Sequence, residues 1–298
     1  MYLQLMLQTD PLSSADLVTL LSLEQLEPNV FRGTCHEGLS MRAFGGQVAA
    51  QALTAAGRTV PAGRSVHSLH GHFLRGSDPG CPIEYSVQRL REGESYVLCR
   101  VSACQDGEVI FTLSASFKRA EHTFDRQPLM PSVSGPHELP DLSRIWATVD
   151  PDDHDLAMLH RVLDLRYEAV PADQATSGQT EQRLWIRAIH KLPDDPLLHA
   201  CALAYASDIV LAPAAALAVE PPRMLRGRPS SVFLASLDHA VWYHRPFRAD
   251  EWMLFAQRSP SAADGRGLSF ADVWSHGGAL IASVVQETVL RPKRPPRT

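Results

Sequence analysis

Three polar residues in the second half of this 298-residue chain fall where their surroundings call for apolar ones. Positions 197, 201, 204 and 208 are spaced by four, three and four, so they share one face of a helix, and they read Leu197, Cys201, Ala204 and Asp208. Gln286 alternates with Leu280, Ala282, Val284, Thr288 and Leu290 on one face of a strand, where an unpaired amide would cost roughly 1–3 kcal/mol. Ser236 sits in the strand-like run ASLDHAVWY. An acid, an amide and a hydroxyl together can hold one water and take its proton as it attacks a carbonyl carbon. The carbonyl oxygen then needs a hydrogen-bond donor. The helix start at Gly45-Gly46 offers backbone N–H groups with no side chain in the way. Each residue also has a plain reading: Asp208 in a last turn rotated into solvent, Gln286 reaching water from an edge strand, Ser236 as a small filler.

Other chemistries find less support. No GxSxG elbow is present, and no Ser-His-Asp order can be read off. The cluster His67-Ser68-Leu69-His70-Gly71-His72 suggests a metal site at first sight. Strand alternation, however, sends His67 to one face and His70 and His72 to the other, so a metal site is not expected. His67 stays a candidate for substrate contact, beside Gly45 and Gly46. Five cysteines without a CxxC pair argue against a disulfide framework or a zinc site, and for a reducing compartment. A net charge of −5 leaves no basic field for nucleic acid. The apolar start MYLQLML is too short for a bilayer span, and RPKRPPRT reads as a solvated basic end. A cytoplasmic protein with no membrane partner is the expectation.

These residues need elements to position them. VHSLHGHFL at 66–74 matches LASLDHAVWY at 234–243 if one residue is inserted, which pairs Ser68 with Ser236. Each copy leads into long strand-like runs with a hairpin signal before the last, Gln105-Asp106-Gly107-Glu108 in one and His276-Gly277-Gly278 in the other. Ala115 stands where the second copy has Gln286. A helix precedes the strands in each copy, one following Gly45-Gly46, the other opened by Asp195 as cap and Pro196. Further strands are expected near Val30–Thr34, Val162–Val170 and Arg183–His190, and further helices at Ser14–Leu26 and Asp155–Leu163. The fold class is α+β. Residues 1–120 form one repeat, 121–160 a proline-rich linker, 161–292 the second repeat and 293–298 a tail.

At these residues the chain resembles the acyl-CoA thioesterase II family. The resemblance is carried by VFRG at 30–33, FGGQVAAQAL at 44–53, VHSLHGHFLRGSD at 66–78, YASD at 205–208, SLDHAVWYHRPF at 236–247 and VVQE at 284–287. It implies a double hot-dog fold, in which each long helix is wrapped by a sheet, and a homo-oligomer, dimer or tetramer. It also implies hydrolysis of acyl-CoA to fatty acid and CoA without a cofactor, with Asp208, Ser236 and Gln286 activating the water. The family usually has Thr where this chain has Ser236, so the hydroxyl survives without the methyl that restricts its rotamer. Two other readings remain: a non-catalytic acyl-CoA binding protein of the same fold, and an enoyl-CoA hydratase, for which no Asp-x-Asn-Pro-x-His pattern is present.

Overall fold

The computed structural model describes residues 16–35, 42–142, 161–168, 181–220 and 230–293. Two helices form its axis. The first long one, α2 (Gly45–Thr59), follows a single short turn, α1 (Leu17–Leu21). The second, α3 (Pro196–Ala215), is capped by Asp195, whose carboxylate accepts from Leu197 N at 2.9 Å, with Pro196 at N1. Both are rich in alanine, the best helix former. Small faces let them pack against each other, with Thr54 3.3 Å from the Cys201 sulfur. By length and composition α3 is apolar enough to cross a bilayer, yet it is buried nearly all round, as a core helix is.

Thirteen described strands wrap this pair. They are β1 (Glu24–Glu27), β2 (Val30–Gly33), β3 (Arg64–Phe73), β4 (Ile83–Glu92), β5 (Tyr96–Gln105) and β6 (Glu108–Arg119) in the first half. The second half has β7 (Leu163–Glu168), β8 (Glu181–Ala188), β9 (Val232–Ser236), β10 (Asp238–Tyr243), β11 (Met253–Ala263), β12 (Arg266–Ser275) and β13 (Leu280–Pro292). Their order is β1-β2-β4-β5-β6-β3-β10-β13-β12-β11-β8-β7, with β9 also on β13. The two halves therefore mirror each other about the β3–β10 junction, each contributing six strands of the order around one helix, with β9 added in the second half. This is the double hot-dog arrangement. Asp106-Gly107 and Asp264-Gly265 both take left-handed φ, as the tight hairpin turns they close require.

Four expectations change. The opening helix stops at Leu21, because residues 24–27 pair with β2 as an edge strand across Pro28-Asn29. Asp16, not Ser14, is placed as its cap, accepting from Thr19 N, and Ser14 lies outside the described residues. Of the short helix expected at Asp155–Leu163, 155–160 lie outside the described residues and Leu163 opens β7. The described part of the presumed linker is strapped along the second half: Gln127 bonds Gly278 O and Leu280 N, and Trp185 donates to Ser134 O. Met130, Val133 and Leu139 there cover Trp185, Trp252, Leu254 and Trp274.

The fourth change concerns register. The repeats need no inserted residue. Val66 pairs with Phe117 and Ser236 with Thr288, and a single residue, His67 or Leu237, then breaks the ladder. Val66, not Ser68, is thus the counterpart of Ser236, while Ala115 and Gln286 each lie two residues before the paired Phe117 and Thr288.

Candidate active site

Asp208, on α3, is 6% exposed, and Gln286, on β13, has no exposure, so neither reaches solvent as the plain readings required. Gln286 Nε2 donates to Asp208 Oδ1 at 2.5 Å and to Ser236 Oγ at 2.7 Å. Ser236 Oγ donates to the same Asp208 Oδ1 at 3.3 Å. A carboxylate only accepts, so the amide must present its NH₂. The other oxygen, Oδ2, turns to the start of α2: a methyl group on Gly45 would come within 2.9 Å of it. One on Gly46 would come within 2.6 Å of the Tyr205 carbonyl oxygen. Only glycine lets the two helices approach this closely. The first helical bonds of α2 run from Gln47 and Val48 to Phe44 O, and Phe44 contributes no side-chain cap. The N–H groups of Gly45 and Gly46 therefore lie outside the helical ladder, in the positive field of the helix start. Five of the six expected site residues come together, from α2, α3, β9 and β13.

His67 is not brought to this site. The break in β3 places it on the outer side of the sheet, with Nε2 2.7 Å from Ser116 Oγ and its ring against Tyr96. His70 and His72 are exposed on the same side, His70 against Trp242. The expectation that His67 faces away from the other two fails, because a bulge resets the pleat. No group of three potential metal ligands occurs among the described residues.

Unbroken alternation from Ser236 would send His239 to the opposite face, but the same kind of break, at Leu237, turns it inward. It is fully buried, with Nε2 2.8 Å from Ser207 Oγ, beside Asp208 in sequence. Ser207 gives its own proton to Ala204 O at 3.1 Å, so the histidine nitrogen is the donor. Burial lowers the His239 pKa, against the opposing pull of Asp208 and Asp238, and the ring is neutral. No hydrogen bond joins it to Ser236 among the described residues.

The mirror position in the first half is empty of chemistry. Asp208 is the thirteenth residue of α3, and the thirteenth of α2 is Gly57, which lies against Leu197. Val66 and Ala115 stand for Ser236 and Gln286. The start of α3 has no N–H at Pro196, and Asp195 occupies that of Leu197.

A hydroxyl and an amide thus gather at one buried carboxylate, beside an open helix start inside a double hot-dog. Residues 36–118 match the acyl-CoA thioesterase N-terminal domain, and residues 136–290 match the acyl-CoA thioesterase C-terminal domain. The chain belongs to the acyl-CoA thioesterase family. It is 36% identical to acyl-coenzyme A thioesterase 8 of Homo sapiens, covering 95% of this chain and 91% of that one. It is 34% identical to acyl-CoA thioesterase 2 of Haemophilus influenzae, covering 93% and 97%. Among solved structures, the acyl-CoA thioesterase II TesB2 from Mycobacterium marinum matches at a TM-score of 0.76 and 38% identity, over 95% of this chain and 99% of that one.

Proposed function

We propose that this protein hydrolyses fatty acyl-CoA to the free acid and CoA through a water activated at Asp208. The observation that carries this reading is the convergence of Gln286 and Ser236 on Oδ1, which leaves Oδ2 directed at the uncapped start of α2. A water at Oδ2 gives up a proton to the carboxylate as its oxygen attacks the thioester carbon. The oxyanion that forms accepts from the Gly45 and Gly46 N–H groups. When the intermediate collapses, the C–S bond breaks, the thiolate leaves as CoA and takes the proton back. Gln286 and Ser236 hold the acid in line for the water, and neither forms a covalent bond. No metal is needed for any step.

The test is release of free thiol from a panel of acyl-CoA chain lengths. Thiol release is expected for the wild type. Asp208→Asn, which keeps the shape of the site, should lower kcat by ~10²–10⁴, the range for losing a general base. Acyl-CoA binding without thiol release from the wild type would make the protein a binding module instead. Near-normal turnover in a well-folded Asn variant would remove Asp208 from the mechanism.

A further inference from the structure

The inner face of the second sheet carries polar side chains where the first carries apolar ones. Ser269 on β12 lies directly across from Gln286, as Cys99 on β5 lies across from Ala115. Gln257 on β11 pairs with Ala271, which places it diagonally beside Ser269, at about 7–8 Å between backbones. All three residues are buried: Gln286 and Ser269 have no exposure and Gln257 has 2%.

Each of the three keeps one polar atom without a partner among the described residues: Gln286 Oε1, Ser269 Oγ and Gln257 Nε2. These atoms are complementary. Gln286 has committed its NH₂ to Asp208 and Ser236, so only its acceptor remains. Gln257 has committed its oxygen to Gln182 Nε2, so only its donor remains. The serine hydroxyl between them can both donate and accept. Leaving a polar group unpaired at this depth is costly. One small hydrogen-bonding molecule satisfies all three, and a buried water needs two to four such partners.

We infer that Ser269 is a positioning residue, which with Gln257 holds a buried water against Gln286 Oε1 and so keeps the Gln286 NH₂ turned to Asp208 and Ser236. The inference rests on the reading of Gln286 as a group that orients Asp208 for the reacting water. Ser269 touches neither the substrate nor the attacking water. It acts only through the amide, and that dependence is what a structural role lacks. Thr288 also keeps an unpaired buried hydroxyl, but it lies across from Ser236 and two residues along β13 from Gln286.

The experiment is a double-mutant cycle on the full chain with one good acyl-CoA substrate. Ser269→Ala should lower kcat about tenfold, the effect of one lost hydrogen bond, and leave KM unchanged. Ser269→Cys keeps the volume with a far weaker hydrogen-bonding group, and it carries the test if the alanine variant folds poorly. In a Gln286→Ala background, Ser269→Ala should have no further effect. An equal loss in both backgrounds would assign Ser269 to the fold and overturn the inference, as would unchanged kcat in Ser269→Ala. A loss in Thr288→Val with none at Ser269 would move the role to Thr288. Full activity in Gln286→Ala alone would overturn the underlying reading of Gln286 itself, and the inference with it.

Discussion

Ser236 has two ways to serve hydrolysis, and its neighbours choose between them. A serine nucleophile needs a base that strips its proton. The buried histidine closest in sequence, His239, spends its proton on Ser207, whereas Ser236 gives its own to Asp208 Oδ1. A hydroxyl that only orients a water is replaceable by another hydroxyl. Ser236→Thr should therefore keep most activity, and Ser236→Ala should lose ~10- to 10³-fold. Mass spectrometry of enzyme quenched during turnover checks this. A Ser236 peptide acylated fast enough to keep pace with turnover would mean covalent catalysis. At this scale Asp208 and Gln286 stood out in the sequence, because a polar residue on an apolar face shows by its spacing, whereas Ser236 entered through the family resemblance. His239 did not stand out, since alternation from Ser236 sends it to the wrong side of the strand.

That error belongs to the elements. Alternation assumes an unbroken pleat, and a one-residue slip exchanges the faces of everything beyond it. The breaks at His67 and Leu237 carry no residue signature, such as a glycine, that would mark them. The two long helices were legible, because the caps and apolar runs that define them are local. The opening helix was overestimated because β1 is held by pairing with β2, a contact that local propensity does not report. The close helix contact at Gly45 yields a prediction of its own. A methyl group there would press on Asp208 Oδ2 and on the Phe73 ring, at 2.9 and 3.0 Å. Gly45→Ala should lower kcat about tenfold or more while the circular dichroism stays native, since alanine suits a helix better than glycine does. Unchanged kcat would show that the contact relaxes without moving the acid.

Across the whole molecule, burial sets the response to acid. His67, His70, His199, His239 and His244 all have pKa values lowered chiefly by desolvation. In each case the unfolded chain binds its proton at a higher pH than the folded one, so stability rises with pH across that interval. The sign is thus fixed: the contribution is present above the unfolded value of about 6.5 and fades as pH falls below it. The thermal midpoint should drop between pH 7.5 and pH 5.5, and His239→Gln should flatten that dependence. A midpoint insensitive to pH over this range would contradict the lowered imidazole pKa values.

The mirror of the site is closed from both sides. Where the working centre has an acid, the other half has Gly57, packed on Leu197. Where the working centre has an open helix start, the other half has a proline and an aspartate cap. On the proposed mechanism the two copies divide the labour: the first lends its helix start, the second supplies the acid, hydroxyl and amide. Such duplicates no longer back each other up. A mutation that ruins the Gly45 end is not rescued by an intact second half, because the centre belongs to neither half alone.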